Sequence, residues 1–410
     1  MERRHHPLIA ALLRNWLGPS LVALQIAIVL AVLVNAMYVV QQRVERIGRP
    51  TGIDVENTFA IRSLGFTPRY LHAATIREDL DFLRAAPDVV AATAMDYVPL
   101  SGSGNTIGVM LQQDDQKNAV GTSYYEVDNQ VVGALGLRLI AGREFRDDEV
   151  LAARTGAGAA IPGAQVIVTQ ALANDLYPNG DALGKPLYDA FGWLAGPATI
   201  VGIVERMYGS RVASPRVDRV LMTPRLPYPD EPAVHYVVRT QPGRRDAVMR
   251  RVEEHLQNSS PERVIEWVRP LNFFHDRSYV TDRNMGVFLA IVTALLLGVG
   301  AVGVFGLAKF NVSAQTRQIG IRRALGARKL DILSQYLIEN LLVATVGVAL
   351  GCLLALGAGY WLSLRYQLPR LNLYYLVGGI PVVWVIALLA AWHPARRAAA
   401  VSPAVATRSV

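Results

Sequence analysis

Four stretches of the chain run for more than twenty residues without a charged side chain: between Arg14 and Arg43, Arg283 and Lys309, Glu339 and Arg365, and Arg370 and His393. A helix needs roughly 20 apolar residues to cross about 30 Å of hydrocarbon. The pattern therefore predicts four spans, near Pro19 to Val40, Met285 to Ala308, Asn340 to Leu364 and Leu371 to Trp392. With their flanks these are transmembrane helices at 19–42, 284–308, 340–364 and 371–392. The first could be cut as a signal peptide, since Arg3, Arg4 and Arg14 precede it. Its apolar run outlasts the 7 to 15 residues of an h-region and continues through "NAMYVVQQR", so a retained anchor is expected.

The long segment 43–283 carries shorter periodicities. In "YLHAATIREDLDFLRAAP", Ile76, Leu80 and Leu83 recur at helical spacing, and in "PGRRDAVMRRVEEHLQNSSP" Val248, Val252 and Leu256 do the same. Each helix pattern stops at a proline followed by an acid and then a β-rich run, "PDVVAATAM" or "PERVIEWV". This internal pseudo-repeat predicts two helix-plus-strand units, 50–125 and 216–282, packed together around an inserted subdomain, 126–215. Within the insertion "AQVIVTQALANDLYP" and "ATIVGIVERM" supply strand and helix signals, and "ARTGAGAAIPGA" reads as a loop. The fold class expected is an α-helical membrane protein with four transmembrane helices and a large mixed α/β extracytoplasmic domain inserted between the first and second spans.

Charge orients this arrangement. The chain of 410 residues is 52% hydrophobic and 18% charged, with a formal net charge of +8. Segment 43–283 holds 27 basic and 30 acidic residues, net −3, and the remainder is +11. The excess hugs the membrane: three basic residues precede the first span, six lie between Lys309 and Lys329, and Arg396, Arg397 and Arg408 follow the last. The positive-inside rule then places 1–18, 309–339 and 393–410 in the cytoplasm, and 43–283 with the short loop 365–370 outside. The excess is thus a membrane signal, and nucleic acid is not a partner. The only cysteine, Cys352, falls in the third span, so the external domain has no disulfide framework.

Enzyme signals fail one by one. "GDALGKP" at 180–186 is one residue short of a phosphate-binding loop and has Pro186 where Ser or Thr would ligate Mg²⁺. In "LSGSGN", Ser101 stands where a nucleophile elbow around Ser103 needs glycine. His5 and His6 are adjacent, without metal-binding spacing, and no H-E-x-x-H occurs. The pairs Asp114/Asp115 and Asp147/Asp148 sit in polar surroundings typical of turns. No charged residue interrupts a span, which argues against an ion-coupled transporter.

Two patterns remain. Gly347, Gly351, Ala355 and Gly359 recur every four residues on the third span, a ridge that lets another helix approach closely. The segment "QTRQIGIRRALGARK", 315–329, has five positive charges and no negative one. Its order exceeds what a topology signal requires: Ile319, Ala324 and Leu325 suggest an apolar stripe on a short helix, and Gly326 suggests its end.

One anchor, a large external domain, three more spans and this basic loop together resemble the FtsX/MacB-like permeases of ABC transporters, of the macrolide-exporter type without a fused ATPase domain. The family's loop commonly reads "RTREIGIRRALGA", and residues 315–327 read "QTRQIGIRRALGA". "YYEVDNQVVGALGLRLIAGREF" (124–145), "NGDALGKPL" (179–187) and "TIVGIVERM" (199–207) resemble the family's external core domain, and "HPARRAAAVSPAVATR" (393–408) its tail. Gln315 and Gln318 stand where the family carries Arg and Glu, which removes a charge pair.

The resemblance implies a permease subunit in a bacterial cytoplasmic (inner) membrane, both termini inside, paired with a second permease subunit as homodimer or heterodimer. A separate cytoplasmic ABC ATPase subunit would bind ATP and Mg²⁺; this chain would bind no cofactor and no metal and is not itself an enzyme. The coupling segment would comprise Thr316, Arg317, Gln318, Ile319, Gly320, Ile321, Arg322, Arg323, Ala324, Leu325 and Gly326. Ile319 and Leu325 would enter a groove on the ATPase, while Arg317, Arg322 and Arg323 pair with acidic rim residues or lipid phosphate. The expected function is export or extraction of a peptide, lipid-linked or antibiotic-like molecule by mechanical transmission to the external domain. A lipoprotein-release permease and a non-transporting regulator of a cell-envelope enzyme are the alternatives. A periplasmic adaptor and an outer-membrane channel are further partners that the sequence leaves open.

Overall fold

The computed structural model describes residues 17–67, 72–113, 115–151, 161–226, 233–366 and 371–401. Outside them lie His5, His6, Asp114, Arg408, most of the loop expected at 153–164, residues 367–370 of the short loop and 402–410 of the tail. The chain divides into two compact units, one from residues 1–48 with 282–410 and one from 49–281.

The first helix, α1 (Leu17–Ile47), is followed by the elements of the α/β unit: β1 (Thr58–Gly65), α2 (His72–Ala85), β2 (Val89–Met95), β3 (Asn105–Met110), β4 (Val120–Val127), α3 (Val131–Leu135), β5 (Leu139–Gly142), β6 (Gln165–Thr169), α4 (Gln170–Leu176), β7 (Pro186–Asp189), β8 (Ala198–Val204), β9 (Val220–Pro224), β10 (Ala233–Thr240), α5 (Arg245–Ser259), β11 (Arg263–Pro270) and α6 (Leu271–Ser278). The remaining helices are α7 (Val280–Ala314), α8 (Thr316–Ala324), α9 (Lys329–Tyr366) and α10 (Leu373–Ala399).

In the α/β unit, β1–α2–β2 and β10–α5–β11 interlock as an antiparallel sheet in the order β2-β10-β1-β11. This is the split βαβ arrangement of ferredoxin-like folds. Strand alternation sends Phe59, Ile61, Val234, Tyr236 and Val238 to the face that receives Ile76, Leu80, Leu83, Val248, Val252 and Leu256 from the two helices. Each such aliphatic side chain stabilises the unit by about 1.5–3 kcal/mol relative to exposure. A buried ion pair ties helix to sheet. Arg263 on β11 holds Asp79 on α2 with two hydrogen bonds, and the Tyr236 hydroxyl donates to the same carboxylate at 2.5 Å.

The insertion between β2 and β10 extends the same sheet, joined to it where β2 pairs with β4 at Met95 and Val127. Hydrogen bonding runs β4-β3-β7-β8-β6-β9 and returns through a parallel β9–β4 pairing, so six strands close into a ring. Its interior holds Ile107, Val109, Tyr124, Val166, Val168 and Ile200, with Leu172 and Leu176 of α4 packed against them. Closure leaves these strands without a long free edge. The insertion therefore spans 105–224 rather than the expected 126–215. Strand β3 belongs to it through its pairing with the next strand β4 and with β7, and β9 through its pairing with the distant β4, which local periodicity does not report.

Among the described residues, four helices, 17–47, 271–314, 329–365 and 373–399, are long and apolar enough to cross a membrane. Each continues past its charge-free run, because backbone helical bonds propagate through polar flanks where hydropathy does not. The expected tail at 393–410 is thus helical to Ala399, and the 309–339 loop is largely helix as well.

Candidate functional site

The membrane unit is built around α1. Ala23, Ile26, Leu30 and Val34 are buried in one cluster with Val343, Ala344, Val348 and Ala355 of α9 and Val383 and Ala387 of α10. The small residues of α9 set the separation. A methyl group added at Gly347 would lie 2.7 Å from the Ala23 carbonyl oxygen, and one at Gly351 3.0 Å from that of Ala27. Ala355 is fully buried, and its carbonyl accepts a hydrogen bond from Asn35 at 3.2 Å. At Gly359 an added methyl would lie 3.1 Å from Leu371. Two further contacts carry no periodic signal. Gln25 donates across to the Val299 carbonyl of α7 at 2.9 Å, over Gly303, and Gly379 of α10 lies under Val34. Gln25 and Asn35 are amides in an otherwise apolar run, which was the available cue. At one end of α1, Arg43 forms an ion pair with Asp282 of α7.

Residues 315–329 take their shape from local rules. After Gln315, α8 runs from Thr316 to Ala324 and ends with Gly326 at φ +100°. The Gly326 and Ala327 amides donate to the Arg323 and Arg322 carbonyls at 3.2 and 3.1 Å, the paired bonds of a Schellman motif. One face of α8 packs inward. Ile319 is buried with Ile332 and Tyr336 of α9 and with Ala395, Ala398 and Ala399 of α10, and Gly320 beside it is buried too. Gln315 accepts from the Tyr336 hydroxyl at 3.0 Å, and Arg322 donates to Gln335 at 2.8 Å. Arg323 Nη1 donates to the Val401 carbonyl at 2.5 Å and, more weakly, to that of Ala399 at 3.4 Å.

The opposite face is open. Arg317, Gln318, Ile321, Arg322, Ala324 and Leu325 are exposed, Ile321 at 50% and Leu325 at 83%. Ile319, expected to enter a partner groove, lies in the chain's own core, and Arg323, expected on the rim, is engaged by the chain's own carbonyls. The reason is angular. At about 100° per residue, Ile319 and Leu325 are about 120° apart on the helix, whereas Ile321 and Leu325 are one i, i+4 step.

In the α/β unit a buried polar group lies where β2 meets β4. The Asp96 carboxylate accepts from the Tyr97 and Glu126 amides at 2.9 and 3.2 Å, and burial beside Glu126 holds its pKa well above the usual carboxylate range. His235 Nδ1 meets the Asp96 carbonyl at 2.7 Å, and burial lowers the imidazole to about 4. Glu126 is matched by Tyr124 at 3.3 Å and Arg225 at 3.7 Å. These contacts join the end of β2 to β4 and β10. Elsewhere Glu149 is lowered to about 2, chiefly by its hydrogen bonds from Arg143. The "GDALGKP" segment is a turn with Gly180 and Gly184 in left-handed conformation and Lys185 3.3 Å from Asp181. No metal-holding group of His, Cys, Asp or Glu occurs among the described residues.

Apolar helices packed on a central anchor, a short helix at their junction and a separate α/β unit describe a membrane protein with a large folded domain after its first apolar helix. A model of the MacB-like periplasmic core domain matches residues 21–255, and one of the FtsX-like permease C-terminal region matches 290–403. The chain belongs to the MacB/FtsX-like permease family of ABC transporters. The macrolide export ATP-binding/permease protein MacB of Escherichia coli K12 is 38% identical over 131 residues, 30% of this chain and 19% of that protein. The corresponding protein of Escherichia coli O157:H7 is 37% identical over the same length and shares. The matched stretch thus spans about a fifth of these relatives, whose names include an ATP-binding part. Among solved structures, the periplasmic region of MacB from Actinobacillus actinomycetemcomitans aligns with TM-score 0.34 and 13% identity, covering 57% of this chain and 97% of that one. The extracellular domain of YknZ from Gram-positive bacteria aligns with TM-score 0.31 and 12% identity, covering 51% and 100%.

Proposed function

We propose that this chain is the membrane-spanning subunit of an ATP-driven transporter, in which a separate cytoplasmic ATPase subunit docks on the outward face of α8. The ATPase supplies the ATP and Mg²⁺ chemistry, a second permease subunit completes the assembly, and the α/β unit lies outside the membrane. Both termini are cytoplasmic, and the cargo class is a peptide, lipid-linked or antibiotic-like molecule exported or extracted at the outer surface.

One observation carries this reading. Ile321 and Leu325 stand exposed one helical step apart, flanked by Arg317 and Arg322, on a helix whose other face is fixed to α9 and α10. An apolar pair with a basic rim on a rigid support suits a groove with acidic edges. Lipid alone would satisfy the charges but gives no reason for the ordered apolar step.

The double substitution Ile321→Ser with Leu325→Ser tests it, since every positive charge and the buried Ile319 are kept. The protein should insert and elute normally, yet lose co-purification with an ATP-hydrolysing subunit and lose stimulation of ATP turnover. Unchanged binding and turnover in that variant would refute the docking face.

A further inference from the structure

The short connecting helix is bonded to more of the membrane unit than its two covalent neighbours. α8 follows α7 and precedes α9 in the chain, so motion imposed on it passes to those helices through the backbone. The side-chain contacts add a third recipient. Ile319 shares a buried cluster with Ala395, Ala398 and Ala399, the final turns of α10, and this cluster is separate from the one around α1. Arg323 reaches the same helix end.

The last carbonyls of a helix lack intrahelical donors and carry the negative end of the helix dipole. Among the described residues at the end of α10, the Ala400 amide returns to Ala398 and Arg397, and the Val401 amide to Ala398. Arg323 supplies a cation and a hydrogen-bond donor from another element, to Val401 and Ala399. A cap of this type normally comes from the helix's own last turn. Here Arg396 and Arg397 occupy the last turn of α10, yet it is Arg323 of α8 that donates to the carbonyls at and just beyond its end.

Resting on the permease reading above, we propose that Arg323 is a positioning residue that fastens α8 to the C-terminal end of α10, so that ATPase movement is delivered to the last span as well as to α7 and α9. Within the membrane unit the path continues. α10 touches α1 where Gly379 lies under Val34 and Leu30, so a displacement of α10 bears directly on the central helix. Arg317 and Arg322 are exposed, Arg322 while donating to Gln335 of α9, whereas Arg323 is half-buried and bonds the end of α10, so the arginines of this segment hold different elements.

The test uses full-length protein with Cys352→Ser and spin labels at Leu353→Cys on α9 and Leu389→Cys on α10, both exposed positions. The label-to-label distance distribution is measured with the co-purifying ATPase, before and after trapping with ATP and vanadate. In the parent protein α9 and α10 should move together, with little change in the distance on trapping. Arg323→Gln should bind the ATPase as well as the parent and show a larger shift, because α9 still follows α8 through the backbone while α10 no longer does. Arg323→Lys, which keeps the charge and can still donate to a carbonyl, should bring the distance at least part of the way back to the parental behaviour. A change in Arg323→Gln no larger than the parental one overturns the proposal, as does a folded Arg323→Lys that shifts as far as Arg323→Gln. Loss of ATPase binding in Arg323→Gln would also overturn it, by making Arg323 a docking group. If the parent protein itself engages no ATPase, the permease reading fails, and that result is distinct from any failure confined to Arg323.

Discussion

Replacing Gly347 with alanine adds one methyl group at the closest approach of α9 to α1. That carbon would sit 2.7 Å from the Ala23 carbonyl oxygen and 2.8 Å from Ile26 Cβ. Relaxed carbon contacts are about 3.5–4.0 Å, so the two helices must part by roughly 1 Å along this seam. A gap of that size forfeits about a quarter to a half of the dispersion energy of each contact it opens. A buried aliphatic side chain makes some 40–60 such contacts at about 0.1–0.2 kcal/mol each, so opening all those of one residue such as Ile26 would cost roughly 1–6 kcal/mol; the seam opens only part of them, which gives the roughly 1–3 kcal/mol found for overpacked cores.

Alanine is also the better helix former, by up to about 1 kcal/mol, which would blur a single measurement. Gly357 removes that ambiguity. It lies on the same helix, with nothing within 4 Å of an added methyl, so Gly357→Ala has the propensity gain without the clash. The stability difference between the two variants should therefore be about 1–3 kcal/mol, Gly347→Ala being the weaker. Unfolding by denaturing detergent, or thermal unfolding in a mild one, measures it. Stabilities equal within about 0.5 kcal/mol would refute the claim that this glycine sets the helix separation. Gly351→Leu against Leu353→Phe extends the comparison, since Leu353 is 69% exposed and tolerates bulk.

Two other predictions probe the rest of the molecule. In a Cys352→Ser background, a cysteine at exposed Asp181 should react with a membrane-impermeant thiol reagent in intact cells or spheroplasts, and one at exposed Arg328 should not; reversed labelling would invert the orientation. Asp79→Ala leaves the Arg263 guanidinium, 1% exposed, without its carboxylate, and should destabilise the α/β unit by about 3–5 kcal/mol. The exposed Arg62–Glu266 pair is the control: Glu266→Ala should cost no more than about 1 kcal/mol in the same urea titration.

The four apolar helices and the inward faces of α2 and α5 are legible in the sequence because each signal is local. A charge-free run reports the span it occupies, and Ile76, Leu80 and Leu83 report their own helix. The ring of six strands is not local. β3 pairs with β4 and β7, and β9 with β4 and β6, so its limits at 105 and 224 depend on partners up to about a hundred residues away. The pseudo-repeat marked the two crossover units and left the ring's outermost strands attached to them. Arg43 and Asp282 are likewise invisible as a pair, being 239 residues apart and each an ordinary charge at a span's edge.

The α8 segment shows a different limit. Its composition suggests a helix with an apolar stripe, but three aliphatic residues, Ile319, Ile321 and Leu325, can be grouped in more than one way on a nine-residue helix and its cap. Helical angle alone pairs Ile321 with Leu325 and separates Ile319. Which group faces outward depends on what the rest of the chain needs to cover. The ends of α9 and α10 bring Ile332, Tyr336, Ala395 and Ala398 to one place, and only Ile319 and Gly320 present a surface small and apolar enough to close it. The same constraint turns Arg323 toward the end of α10, three positions after Gly320 on the inward side. A motif shared with a family thus fixes which residues are present, whereas the packing of neighbouring helices decides which of them remain free to meet a partner. In this chain that leaves Ile321 and Leu325, with Arg317 and Arg322, on the exposed face of α8.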